Sequence, residues 1–213
     1  MSSAAASMVD ETMTALAARR PVFHSEADFQ HAFAWAARQL NPATDVRLEM
    51  RLHSQTNERL DLLLHVGDER IAVELKYPLD AAVITIEGEE FLLKNQGATD
   101  LMRFNYVTDI TRIEDIVASG VATAGAAVVL TNVSPLWSAP KDSWRVAADT
   151  AFRLYEGRVL AGELAWQGDA TWWHGKHPES LHLRGSYPLA WRPFASPPGD
   201  GKTSFRWTVA VID

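Results

Sequence analysis

The chain has 213 residues, enough for one domain with a sizeable core, and its 47% hydrophobic and 22% charged content is that of an ordinary globular protein. It contains no cysteine, which excludes a disulfide framework, a thiolate zinc site and a cysteine nucleophile. A formal net charge of −7 argues against a sequence-independent nucleic-acid coat, which needs a basic face, but not against an enzyme whose basic residues are local to a cleft. No apolar run approaches the ~18 residues of a membrane span. Met1 to Met8 has neither the basic start nor the apolar core of a secretory signal. A cytoplasmic protein without a membrane partner is the expectation.

Residues 1–22 are Ala/Ser-rich and read as an N-terminal tail or short helix. Ser25 then opens a helix, with Asp28 at capping-box spacing. Phe29, Phe33, Ala36 and Leu40 recur at helical intervals as an apolar stripe, and Asn41-Pro42 ends it. Residues 46–53 alternate, with Val46, Leu48, Met50 and Leu52 against Arg47, Glu49, Arg51 and His53, which predicts a half-buried strand.

Arg59 to Lys76 reads as a tight hairpin. Gly67-Asp68 is a two-residue turn of the Gly-X type. If Val66 faces Glu69, then Leu64, Leu62 and Leu60 oppose Ile71, Val73 and Leu75 on one face. The other face pairs Leu63 with Ala72, Asp61 with Glu74 and Arg59 with Lys76. Opposed like charges destabilise a sheet, so two facing carboxylates call for a cation between them. A slip of one residue would undo the match.

Beyond Pro78, residues 83–86 predict a short strand, followed by Gly88. Leu101, Phe104, Ile110, Ile113 and Ile116 predict a helix over about 97–117, stopped by Gly120. Residues 126–131 read as a fully buried strand. Seven of the eight tryptophans lie beyond residue 136, among alternating segments near 151–166, 181–191 and 205–212 that suggest further strands. The expected fold is therefore α/β: a mixed sheet with a central antiparallel hairpin flanked by helices, and a Trp-rich, β-containing extension. The expected division is 1–22, a core over 23–134, and an extension over 135–213 packed on the same domain.

Asp61 followed by Glu74-Leu-Lys76 on a hairpin between helices resembles the core of the PD-(D/E)xK nuclease superfamily, the restriction-endonuclease-like fold. The resemblance covers roughly residues 23–131, and Leu60 stands where the motif's name has proline. It implies that Asp61 and Glu74 bind a divalent metal, Mg²⁺ or Mn²⁺, and that Lys76 orients or activates the attacking water. Many members carry a Glu on the first helix and a Gln at the start of the helix after the Lys strand. Glu26 matches the first, as a third metal ligand, and Gln96 the second. The implied activity is phosphodiester hydrolysis, on DNA more than RNA, with homodimers common in the superfamily.

Lys94, Asp100 and Arg103 share one side of the following helix, and Arg103 and Lys94 are candidates for substrate phosphate. Each of these residues also has a structural reading. Glu-x-Lys is a common tripeptide that forms a solvated ion pair, and Glu26 suits the positive end of a helix. Gln96 suits a turn, and a mixed-charge helix face is usually solvated. His174-x-x-His177 lacks a third ligand for zinc, and Trp172 and Trp173 suit either base stacking or packing. Two alternatives stand beside a nuclease. One is a non-catalytic nucleic-acid-binding or protein-interaction module on the same fold, to which the acidic charge lends weight. The other is a phosphohydrolase acting on a small nucleotide.

Overall fold

The computed structural model describes residues 3–52, 58–140, 147–168 and 177–213. Helix α1 (Ala4–Arg19) occupies the stretch read as a tail or short helix, and it is packed, with Val9, Met13 and Leu16 buried. Helix α2 (Glu26–Leu40) starts as expected: the Ser25 hydroxyl accepts a hydrogen bond from the Asp28 N–H at 3.1 Å. Phe29, Phe33 and Ala36 form its buried stripe, while Leu40 is exposed.

Strands β1 (Asp45–Arg51), β2 (Arg59–Val66) and β3 (Glu69–Lys76) form an antiparallel meander. Gly67 has φ +62°, the left-handed conformation that the first position of a Gly-X turn requires. The turn sets the expected register, with Val66, Leu64, Leu63 and Leu62 opposite Glu69, Ile71, Ala72 and Val73. The ladder stops there, so the expected pairs Asp61–Glu74, Leu60–Leu75 and Arg59–Lys76 do not form. Instead Asp61 Oδ2 accepts the Leu75 N–H at 2.8 Å, so a side chain takes over a donor that the ladder would use. On the other side of β2, Glu49 lies between the paired residues Leu48 and Met50 and has φ +51°, sparsely populated for a residue with a Cβ. Both strands change face at this point. Val46, Leu62 and Leu64 pack toward α1 and α2, whereas Met50, Leu52 and Leu60 pack on the opposite side of the sheet. The even alternation expected of residues 46–53 therefore breaks beside Asp61.

A second hairpin, β4 (Ala82–Ile86) and β5 (Glu89–Leu93), follows; its second strand was not predicted. Helix α3 (Thr99–Ala118) then crosses over to β6 (Ala124–Thr131), which runs parallel to β3 and is buried at every position. A short helix α4 (Ser134–Trp137) precedes β7 (Val159–Ala165), β8 (Ser180–Pro188), β9 (Arg192–Ala195), β10 (Gly199–Gly201) and β11 (Phe205–Ile212). The main sheet has the order β1-β2-β3-β6-β11-β9, beside a small sheet β10-β4-β5 and the hairpin β7-β8. The protein is thus mixed α/β. The division drawn at residue 134 does not follow the sheet, because β11 and β9, both beyond it, belong to the main sheet, with β11 between β6 and β9. Trp166, Trp191 and Trp207 are core residues, while Trp144, Trp172, Trp173 and His174 lie outside the described residues.

Helices α1 and α2 cover one face of the main sheet, and α3 with the β7-β8 hairpin covers the other. Gly125 lets α3 press close to the sheet. A Cβ there would lie 2.3 Å from Ile113 Cγ2 and 3.0 Å from the Ala72 carbonyl oxygen. Gly125→Ala is therefore expected to destabilise by about 1–3 kcal/mol through overpacking, measurable by denaturant unfolding; unchanged stability would mean that α3 shifts freely.

Candidate active site

The break at Asp61 creates the site. Asp61, bonded to the Leu75 N–H, stands close enough to Glu74 and Lys76 of β3 to act on the charge of both. Glu26, the first residue of α2, is anchored because its Oε2 accepts the Tyr77 N–H at 2.9 Å. Glu26, Lys76 and Gln96 line one cleft of about 270 Å³, together with Met102, Asn105 and Leu154. Gln96 does not start the following helix as expected. It sits three residues before α3, held by its N–H to the Leu79 carbonyl at 3.1 Å.

Two residues not anticipated from sequence complete the cluster. Asp109 Oδ2 lies 3.3 Å from Lys76 Nζ, and Arg112 Nη2 lies 3.1 Å from Glu74 Oε1. Arg112 Nη1 is 3.6 Å from Asp109 Oδ1. The sequence signal was present: Asp109 and Arg112 interrupt the buried run Val107, Ile110, Ile113 on α3, which an uncharged core helix would not do.

Four carboxylates thus share a mostly buried space with two cations. Glu74 is 1% exposed, and its pKa is pushed up to about 9 by burial first, then by Asp61 and Asp109, with Arg112 and Lys76 opposing. Asp109 is raised to about 6 by burial, against the pull of Lys76 and Arg112. Burial also raises Glu26, offset in part by Lys76 and the Tyr77 N–H. Burial works against the Lys76 ammonium, but Asp109, Glu26, Asp61 and Glu74 together outweigh it and raise its pKa.

Two candidates fall away from the cluster. Arg103 is a buried structural residue rather than a phosphate contact: it pairs with Asp149 and donates to the Pro135 carbonyl at 2.9 Å. Lys94 is exposed just after β5 and does not line the cleft.

Among the described residues, no group of three or more His, Asp or Glu side chains gathers as a ready-made metal cage. The donor chemistry nevertheless suits a hard divalent ion, which takes two carboxylates and keeps several waters. Glu74 Oε1 is buried and receives no hydrogen bond, although Arg112 stands beside it. An orphaned buried carboxylate oxygen amid excess negative charge is what such an ion would satisfy. No helix of the described residues is long and apolar enough to cross a membrane. Comparison with protein-family models, with curated proteins and with solved structures finds no match to this chain.

Proposed function

We propose that the protein is a divalent-metal-dependent nuclease with a restriction-endonuclease-like core. The observation that carries this reading is the convergence of Glu26, Lys76 and Gln96 on one cleft, with Asp61 and Glu74 beside Lys76. Asp61 and Glu74 would hold Mg²⁺ or Mn²⁺, with Glu26 as the third carboxylate. When bound, such an ion polarises a phosphoryl oxygen and supplies a hydroxide-like nucleophile. Lys76, kept charged by the surrounding carboxylates, acts as an electrostatic clamp on the phosphoryl oxygens rather than as a base. The Gln96 carboxamide is placed to orient water or phosphate. The choice of DNA over RNA rests on the superfamily resemblance alone.

One observation favours the second reading, a non-catalytic nucleic-acid-binding or interaction module. Asp61, Glu74 and Lys76 each have a partner within the protein, as a self-neutralised structural network would. Cleavage of plasmid and single-stranded DNA in Mg²⁺ or Mn²⁺ separates the two. Lys76→Ala is expected to lower metal-dependent cleavage about 10²–10³-fold while the protein stays folded by circular dichroism. Equal cleavage by wild type and Lys76→Ala sinks the nuclease assignment, and DNA binding without cleavage by either selects the module.

A further inference from the structure

Arg112 stands beside Glu74 without bonding to it. Its Nη2 stands 3.1 Å from Glu74 Oε1, but that nitrogen donates its hydrogen bond to the Arg59 carbonyl at 2.7 Å. Glu74 Oε1 and Arg112 Nε are both buried and receive or make no hydrogen bond. A guanidinium committed to a carboxylate normally bonds it through two parallel N–H groups. Here it supplies charge and leaves the oxygen free.

Arg112 also has an alternative place to go. Its side chain is 25% exposed and lines a second cavity of about 320 Å³ that Glu74 does not line. Glu58 and Asp115 line that cavity as well, and both are exposed carboxylates. Asp115 is held by Arg184 at 2.5 Å, in a solvent-facing pair of the kind that exchanges partners readily. Arg112 is thus poised between a buried acid it does not satisfy and an acidic opening that can receive it.

We propose that Arg112 is the stand-in cation of the metal site, holding positive charge beside Glu74 and Asp109 in the metal-free protein and turning into the Glu58–Asp115 cavity when a divalent ion takes its place. The inference rests on the reading of Asp61 and Glu74 as the metal-binding pair. It makes Arg112 a positioning residue that sets metal affinity: every ion bound must first displace a guanidinium.

The role predicts opposite changes in two measurements, where a merely structural arginine would worsen both. Mn²⁺ binding, followed by calorimetry or by electron paramagnetic resonance of the free ion, is expected to be at least about tenfold tighter in Arg112→Met than in wild type. The metal-free Arg112→Met protein is expected to melt lower, and its gain in melting temperature with Mn²⁺ to be larger. Arg112→Lys keeps the charge but not the reach to the Arg59 carbonyl. Its affinity is expected between the two, and it decides the matter if Arg112→Met does not fold. Affinity in the folded variants equal to or weaker than wild type overturns the proposal. So does a Mn²⁺-soaked wild-type crystal with the ion bound and Arg112 still against Glu74. Absence of saturable Mn²⁺ binding in wild type and both variants instead removes the metal reading of Asp61 and Glu74 itself. Saturable binding that Glu74→Gln abolishes and Arg112→Met leaves unchanged removes only the role of Arg112.

Discussion

Glu74→Gln is expected to reduce metal-dependent cleavage roughly a thousandfold, the loss of several kcal/mol of charge stabilisation by the ion, and at the same time to make the protein more stable. The two effects share one cause. Glu74 is buried among Asp61 and Asp109, which raises its pKa from the ordinary 4.5 to about 9. Between those values the folded protein holds a proton that the unfolded chain releases. The contribution of this carboxyl to stability is therefore full below about pH 4.5 and is lost progressively as the pH rises toward 9. Glutamine fills the same space and does not titrate. The advantage of Glu74→Gln over wild type should thus grow from pH 5 to pH 8. At pH 8 it should reach on the order of 2 kcal/mol, part of the relief being returned because Arg112 loses the acidic group beside it. Paired melting curves at the two pH values check this. A variant that is less stable than wild type at pH 8 would mean that the Arg112 contact outweighs the burial of Glu74.

The second large effect concerns the C-terminal hairpin. Glu114 of α3 is buried and accepts hydrogen bonds from the Arg184 N–H at 2.9 Å, the Gly185 N–H at 2.8 Å and the Tyr187 hydroxyl at 2.6 Å. Gly185 permits this geometry, because a Cβ there would lie 2.4 Å from the Tyr187 hydroxyl oxygen. One carboxylate thus fastens β8 to α3, the helix that carries Asp109 and Arg112. Glu114→Ala removes the acceptor and leaves the partnered donors without one, for a loss of about 3 kcal/mol. In a protein of this size that lowers the melting temperature by roughly 6–12 °C. Glu114→Gln keeps an oxygen at the same place and is expected to recover most of the difference. Faster hydrogen exchange at Arg184 and Gly185 in Glu114→Ala, with the β2-β3 amides unchanged, would locate the damage to the hairpin. Uniform acceleration throughout the sheet would show that β7-β8 does not open separately.

What sequence could show here follows from how local each determinant is. The Gly67-Asp68 turn is local, and it fixed the hairpin register for five pairs. The Ser25 cap and the Gly120 stop are equally local, and both helices begin or end within a few residues of the expected place. The last expected pairs failed because Asp61 bonds the Leu75 N–H through its side chain, and strand alternation cannot register that choice. Arg103 was misread because a charged helix position looks alike whether water or a buried Asp149 awaits it. Asp109 and Arg112 were legible as charges within an apolar stripe, but their partners come from β3, across a contact that only the fold creates. The place of β11 between β6 and β9 was invisible for the same reason: its strand pattern was clear, its neighbours were not.

That placement has a consequence for how the chain matures. Translation delivers β3 and β6 early, and they can pair as soon as α3 forms. The other edge of β6 waits for β11, so while residues 132–204 are made the run Ala126-Ala-Val-Val-Leu130 presents an unpaired apolar edge. At about 5–20 residues per second this window lasts several seconds on the ribosome. Nascent chains stalled before Phe205 should therefore be captured by chaperones or aggregate, whereas chains released after Ile212 should not.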